Sequence, residues 1–276
     1  MKIWITAAFL FAATLVEAQQ KEGTIIYERK INLHKTIANP EMKAYMPEFR
    51  TTKHALLFSD SISVYQLLPD DEAPDPFAGG DGGGGRGISM RFGGIGGDAG
   101  TTYRNFAQAK VVQATELGGK NFLIVDTIKQ QAWKMSEETK KILGYTCFKA
   151  SMKMPVRSQM SIRTMVSVNG SKPDSTKTST PSVPREADLV VWYAPAILTP
   201  AGPEGYGMLP GVILEADFDN GQMAYKALEV KSSVNAKELK EPTKGKTVTR
   251  AEYQKMMMDL MNQQMPGMMR MNRSFQ

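Results

Sequence analysis

The sequence predicts a mainly β protein built on a single antiparallel sheet, either strongly curved or closed part-way into a half-open barrel, with a C-terminal helix. Three observations predict this fold class. Short apolar runs alternate with turn residues, no long helical segment separates these runs, and a helix-capping motif opens one stretch near the end of the chain. Strands that follow one another through tight turns pair antiparallel, so these features favour one sheet over alternating strands and helices.

Residues 1–18 have the pattern of a cleavable signal peptide. Lys2 precedes the apolar run Ile3–Leu15, which is too short for a stable membrane anchor, and the segment ends at the small residue Ala18. No cysteine follows this point, and no later stretch reaches the roughly 20 apolar residues of a transmembrane helix. We therefore expect an exported protein, periplasmic or secreted, that is not a lipoprotein. A buried N-terminal helix or an anchor is the alternative interpretation.

The first strand is predicted at Thr24–His34 because apolar and polar residues alternate there. The apolar row runs from Ile25 through Tyr27 to Leu33, and Arg29 interrupts it. Such alternation is typical of a strand that packs on a core from one side.

Further strands are predicted wherever a short β-prone run is bounded by turn residues. The pair Asn220-Gly221 predicts a two-residue hairpin turn between the last two of these strands, because both residues tolerate positive φ. The predicted strands are Ala55–Phe58, Ile62–Leu68, Lys110–Thr115, Asn121–Asp126, Gln130–Met135, Tyr145–Met152, Arg163–Val168, Asp188–Tyr193, Gly211–Asp219 and Gln222–Lys231.

Composition divides the chain into one β domain and a distinct tail. The β domain is predicted at 19–246; it carries a Gly-rich flexible insertion at 69–100 and a polar loop at 169–185. Residues 247–276 form a Met-rich tail. In it the capping box Thr249–Glu252 predicts a helix that runs to about Gln264 and ends at Pro266-Gly267.

Two sequence blocks resemble the GLPGLI family. One is Trp192-Tyr193-Ala194-Pro195-Ala196-Ile197, followed by Gly202-Pro203 and by Tyr206-Gly207-Met208-Leu209-Pro210-Gly211-Val212-Ile213-Leu214-Glu215; the other is Ile142-Leu143-Gly144-Tyr145-Thr146-Cys147-Phe148-Lys149-Ala150. The resemblance covers most of residues 22–232 and implies an exported, strand-rich protein of unknown activity, with no catalytic residues to carry over. Met208 stands at the first glycine of the signature, so the turn is altered if that glycine needs positive φ.

The signature segment is also the candidate binding site, because it gathers aromatic and apolar side chains around a turn. A purely structural turn is the alternative interpretation. The candidate binding residues are Trp192, Tyr193, Tyr206, Met208, Leu209 and Pro210.

Three alternating carboxylates, Glu215, Asp217 and Asp219, could do acid–base chemistry in an envelope enzyme, but a solvated strand face explains them as well. Cys147 is the single cysteine and is expected to be a buried strand residue rather than a nucleophile. The chain has two histidines, and neither lies in a zinc-binding motif.

Eight methionines crowd the last 21 residues, and thioether sulfur is a ligand suited to Cu(I). A copper-handling protein is therefore an alternative, with an apolar docking face as the competing explanation. The candidate copper ligands are Met257, Met261, Met265 and Met268.

The net charge of +6 is modest for 276 residues, and no basic stripe is interleaved with aromatic residues, so we expect no nucleic-acid partner. The sequence favours a non-enzymatic binding or carrier protein of the cell envelope, whose partner is a hydrophobic ligand or an envelope protein. No cofactor is expected.

Overall fold

The structure is a computed structural model that describes residues 20–37, 40–69, 100–156 and 185–271, with the backbone alone for 41, 42, 156, 185 and 261–271. Several predicted features lie outside the described residues. They are the signal peptide at 1–18, nearly all of the insertion at 69–100, nearly all of the loop at 169–185 and the strand at Arg163–Val168.

Twelve strands and two α-helices make up the described chain. A 3₁₀ turn at Leu33–Lys35 follows the first strand, and its backbone is capped by the side chain of Asn32. The strands are β1 Glu22–Asn32, β2 Phe49–Ser59, β3 Ile62–Leu67, β4 Thr101–Asn105, β5 Lys110–Leu117, β6 Lys120–Thr127, β7 Lys134–Ile142, β8 Tyr145–Val156, β9 Arg185–Ala194, β10 Val212–Phe218, β11 Met223–Lys231 and β12 Lys246–Val248; the helices are α1 Pro40–Tyr45 and α2 Arg250–Met271.

All twelve strands belong to one sheet in the order β12-β6-β5-β4-β3-β2-β1-β11-β10-β9-β8-β7. Two antiparallel meanders, β1 to β6 and β7 to β11, join where β1 pairs with β11. The edge strands β12 and β7 do not pair with each other, so the sheet is not closed into a barrel. The mainly β fold class with a C-terminal helix is confirmed, with one exception to the antiparallel pattern: β12 pairs with β6 in parallel.

The alternation predicted for the first strand produces the main core. Ile25, Tyr27, Arg29 and Ile31 are all buried on one side of β1, and their side chains share that side with the main apolar cluster. We call this side of the sheet the core face. On the opposite face a smaller cluster built around Leu57 is covered by the segment that follows β11.

Helix α2 begins where the capping box predicts. The backbone N–H of Thr249 donates to the Glu252 carboxylate at 2.7 Å, and the Glu252 N–H donates to the Thr249 hydroxyl at 3.2 Å. Tyr253 packs edge-on against Phe122, so the helix covers the β5–β6 end of the core face. Among the described residues, no helix is both long enough and apolar enough to cross a lipid bilayer.

Several boundaries differ from the sequence predictions; β1, for example, ends at Asn32 rather than at His34, and β2 begins at Phe49 rather than at Ala55. Three further differences are larger or change a connection. The strand expected at Gln130–Met135 begins at Lys134, because the preceding residues cross from one meander to the other. The prediction that α2 ends at Pro266-Gly267 is wrong, because the helix runs to Met271 with the proline inside it, a position that costs a backbone hydrogen bond and a steric clash. The β10–β11 turn takes four residues, with positive φ at Asp219 as well as at Asn220 and Gly221.

Candidate functional site

The segment between β9 and β10, residues 195–211, folds back over the core face; we call it the cap loop. Ile197, Ala201 and Leu209 are buried in the main cluster, so the loop is part of the core rather than a surface excursion. The Tyr27 hydroxyl donates to the carbonyl oxygen of Ile213 at 2.6 Å, where the cap loop enters β10. The central strand β1 therefore fixes β10 directly after the cap loop ends.

Two side chains of the crossover between the meanders, residues 128–133, hold the middle of the cap loop. The Trp133 indole N–H donates to the carbonyl oxygen of Gly207 at 2.8 Å. The Gln131 amide donates to the Gly205 carbonyl at 2.9 Å and accepts from the Gly207 N–H at 3.1 Å. These three bonds fix the backbone of 205–207 against a segment about 75 residues earlier in the chain.

A cavity of about 200 Å³ lies between the cap loop, strands β4 to β6, the crossover and the start of α2. Its walls are both apolar and cationic, and one carboxylate belongs to them. The lining residues are Arg104, Phe106, Val111, Asp126, Thr127, Ile128, Lys129, Gln131, Pro200, Gly205, Tyr206, Gly207, Met208 and Arg250.

Next to this cavity lies a polar cluster, whose buried or half-buried members are Arg29, His54, Tyr65, Arg104, Glu204, Tyr206 and Tyr225. Arg29 is fully buried, its Nε lies 3.6 Å from the Glu204 carboxylate, and its guanidinium lies 5.9 Å from the centre of the Tyr225 ring. Tyr206 meets Tyr225 edge-on, with ring centres 6.0 Å apart. Arg104 donates to the backbone carbonyl of Glu204, which links the cluster to the cavity. Burial raises the pKa of the Tyr206 hydroxyl well above its usual range, so this ring is neutral.

Three buried polar atoms of this cluster have no hydrogen-bond partner among the described residues: the Tyr65 hydroxyl, His54 Nδ1 and Glu204 Oε1. Buried polar groups are nearly always paired in proteins, and those that are not often mark a place for water or for a ligand. His54 stacks flat on Tyr65 with ring centres 5.0 Å apart, so two of these atoms belong to one stacked pair.

The six candidate binding residues separate in the structure. Tyr206 and Met208 line the cavity, whereas Tyr193 and Leu209 are buried in the main cluster and Pro210 is exposed. Trp192 lies on the face opposite the core face, half-buried, with the Lys140 ammonium 4.4 Å from the centre of its ring.

The residues considered as catalytic candidates have structural contacts or are buried. Lys140 pairs with Glu215 at 2.7 Å, and Asp217 accepts the Gly221 N–H at 2.6 Å. Cys147 is free and buried, and burial raises the pKa of its thiol to about 11, so it is protonated at neutral pH.

Of the candidate copper ligands, Met257 is half-buried on α2, and the side chains of Met261, Met265 and Met268 lie outside the described residues. Within the described ranges, no group of three or more His, Cys, Asp or Glu side chains is arranged to hold a metal ion.

Met208, at the position of the first signature glycine, lies in the left-handed region with φ of 62°, so a residue other than glycine adopts positive φ in this turn. Its N–H donates to the Pro200 carbonyl at 2.7 Å, which holds the backbone in this turn. A side chain in this conformation costs free energy that glycine would not incur. Met208 is thus a residue with a strained backbone that also lines the cavity, and strained residues are often found at functional sites.

We expect Met208→Gly to be more stable than Met208→Ala by about 1 kcal/mol, because both variants lose the thioether side chain and only alanine keeps a Cβ at positive φ. Urea denaturation of the two variants measures this difference. The control is the same pair of changes at Met135, an exposed strand residue, where alanine is expected to be the more stable. An equal or reversed order at Met208 would show that the turn is not strained.

Sequence reasoning missed most of the polar residues around the cavity. Arg29 gave a signal, because it interrupts the apolar row of β1 at a position that faces the core. Arg104, Gln131 and Glu204 gave none, since each is an ordinary polar residue whose partner is distant in the chain.

The profile of a family described as "Protein of unknown function (Porph_ging)" matches residues 133–215. Over this part of the chain, 83 of 276 residues, the sequence is similar to that family. The match includes Trp133, the β7–β8 hairpin and the whole cap loop, and it contains both blocks that resemble the GLPGLI family. Membership of the GLPGLI family itself stays a prediction. A comparison with curated protein sequences finds no match.

Comparison with solved structures gives matches at low sequence identity, one of which reaches a TM-score of 0.50. PNGF-II in its P21 crystal form matches with a TM-score of 0.50 and 14% identity, over 86% of this chain and 33% of PNGF-II; the C2 form gives 0.49, 15%, 85% and 32%. LprF from Mycobacterium bovis gives 0.28 and 11%, over 82% of this chain and 92% of LprF. The chain thus spans about a third of the length of PNGF-II, and at 14% identity the likeness concerns the fold alone.

Proposed function

We propose that this protein is a non-enzymatic binding or carrier protein of the cell envelope, which takes a hydrophobic group into the cavity beneath the cap loop. The single observation that carries the proposal is the cavity itself: Phe106, Val111, Ile128 and Met208 give it apolar walls, in a place where three separate segments meet. Hydrophobic walls with a few convergent polar groups are the usual composition of a ligand site.

The size of the cavity limits its occupant. At about 200 Å³ it is smaller than the roughly 300–1,000 Å³ typical of drug-sized ligands. It is slightly larger than the ~150 Å³ engineered cavity that binds benzene. The occupant is therefore one ring or a short chain, either a whole small molecule or the hydrophobic end of a larger ligand or partner protein.

Export to the envelope belongs to this proposal and is supported by the sequence pattern of residues 1–18. Native mass spectrometry of the protein purified gently from its own envelope fraction, followed by denaturing extraction, tests for a resident ligand. A co-purifying small molecule supports a carrier. A mass equal to that of the protein alone would exclude a tightly bound ligand, and the proposal would then be restricted to weak or transient binding.

Gly205→Leu is expected to abolish binding to the cavity without loss of stability. A Cβ at Gly205 meets only Arg104 Nη2, at the ordinary contact distance of 3.7 Å, so the Cβ of a leucine there lies beside a residue of the cavity wall and contacts no backbone atom. The readout is chemical-shift perturbation by benzyl alcohol, a neutral ring of suitable size.

Gly205→Ala is the matched control, because it adds one methyl group and leaves most of the cavity volume open. Wild type and Gly205→Ala should show shifts at Ile128 and Met208 that Gly205→Leu lacks, with all three proteins equally stable in urea. Benzyl alcohol shifts that persist in Gly205→Leu, or that appear only away from the cavity, would remove this site from consideration.

A further inference from the structure

The cavity wall contains a buried cation. Arg104 is 8% exposed, and it projects from β4 on the core face, opposite Val111 of β5. Its guanidinium donates to a neutral acceptor, the backbone carbonyl of Glu204. Burial lowers the pKa of Arg104 to about 10, while the nearby Glu204 carboxylate acts in the opposite direction, so the side chain is charged at neutral pH.

The carboxylates close to Arg104 already have cationic partners. The Glu204 carboxylate lies 3.6 Å from Arg29, and the Asp126 carboxylate lies 3.2 Å from Arg250. Among the described residues, no carboxylate lies within ion-pair distance of Arg104. A buried cation without a direct counter-charge is costly, and an anion brought into the site would offset that cost.

The other charges of the cavity wall also favour the binding of an anion. Its ionic lining residues are Arg104, Lys129, Arg250 and Asp126, which leaves an excess of two positive charges. Lys129, on the crossover, is exposed, whereas Arg104 is buried. A confined cationic site with low-dielectric walls concentrates anions.

From these observations we infer that the cavity selects a small amphipathic acid, a carboxylate attached to one ring or a short apolar chain. This inference rests on the proposed binding function and adds its chemical class. Arg104 binds the carboxylate directly in a planar, two-pronged geometry. The exposed Lys129 attracts the anion over a longer distance, and Phe106, Ile128 and Met208 contact the apolar body.

The test compares phenylacetate with phenylacetamide, which has the same ring and nearly the same shape but no charge. Titration calorimetry and chemical-shift perturbation of the protein at low salt should show phenylacetate binding about tenfold or more tightly. Equal affinities would overturn the inference while leaving the proposed function intact. Absence of binding by both compounds, and by benzyl alcohol, would remove the proposed function as well.

Arg104→Gln should reduce the affinity for phenylacetate about tenfold or more and should reduce that for phenylacetamide much less, because only the charged ligand loses an ion pair. Glutamine keeps a donor for the Glu204 carbonyl. If this variant fails to fold, Lys129→Gln serves instead, because Lys129 is exposed; we expect a loss of about twofold to fivefold that disappears at high salt.

Lys120→Gln is the matched control for Lys129→Gln. Lys120 is an exposed lysine at the opposite end of β6, outside the cavity wall, and its removal changes the net charge of the protein by the same amount. It should leave phenylacetate binding unchanged. Equal losses in the two lysine variants would mean that net charge, and not the cavity, attracts the acid, which would contradict the inference.

Discussion

Gly211→Ala should destabilise the protein by roughly 3 kcal/mol or more, through strain and contact at the base of the cap loop. Gly211 has φ of +151°, where side chains are rarely found. A Cβ there would lie 2.6 Å from the carbonyl carbon of Ala194 and 2.7 Å from the Cα of Pro195. These are backbone atoms at the other end of the cap loop, so they can move only if the base of the loop opens.

Gly144→Ala is the control that separates the backbone cost from the contact. Gly144 also has positive φ, +87°, in the β7–β8 turn, but an added Cβ there would meet no atom within 4 Å. We expect it to lose about 1 kcal/mol, the cost of positive φ alone. Urea denaturation of both variants gives the comparison. Equal losses would show that the close approach of the two ends of the cap loop contributes nothing.

This geometry explains the part of the signature that the sequence comparison could only describe. Pro210-Gly211 ends the cap loop, and the missing side chain of Gly211 lets the two ends of the loop meet beside Ala194. The preceding Leu209 is buried in the main cluster and fastens the turn to the core. Turn chemistry and apolar burial thus act together within three residues, and both are visible in the sequence.

The strands were predictable where polarity alternates or where a turn sequence separates two apolar runs. The β2–β3 and β5–β6 hairpins are examples, because pairing follows from proximity in the chain. The pairing of β1 with β11, and the crossover that carries the chain from β6 to β7, could not be predicted. Several edge strands could accept the next segment equally well, and tertiary packing decides among them.

The cavity could not be predicted from the sequence, because its walls depend on contacts between residues that are distant in the chain. Arg104 and Glu204 are 100 residues apart, and Gln131 is 74 residues from Gly205. Each contact exists only after both meanders and the cap loop are in place. The sequence indicated a site at Tyr206 and Met208 because aromatic and apolar residues gather there, but it contained no information on which charged residues would surround them.

His54 should make the stability of the protein depend on pH between about 6.5 and 4. It is 2% exposed, and burial, together with the nearby positive charge of Arg29, lowers its pKa from 6.5 to about 4. Above pH 6.5 the imidazole is neutral in both the folded and the unfolded chain. As the pH falls below 6.5 the unfolded chain binds a proton that the folded protein does not, so the free energy of unfolding decreases, by roughly 3 kcal/mol once pH 4 is reached.

His54→Phe isolates this contribution, because phenylalanine keeps the ring stack on Tyr65 and does not titrate. We expect the wild type to lose roughly 3 kcal/mol more than the variant between pH 7 and pH 4, as measured by urea denaturation at each pH. His34→Gln is the matched control, since these are the two histidines of the chain, and it should retain the wild-type loss. Parallel curves for wild type and His54→Phe would mean that the folded protein protonates His54 as readily as the unfolded chain does.

The direction of the effect follows from the charges around the ring. A protonated His54 would add a positive charge beside Arg29 in a cluster where Arg104 is also buried and Glu204 supplies the nearby carboxylate. The folded protein avoids this by keeping the imidazole neutral, with its Nε2 3.0 Å from the Thr52 hydroxyl. Acid therefore weakens the fold at the same cluster that borders the cavity, so ligand binding and acid stability should be measured on the same variants.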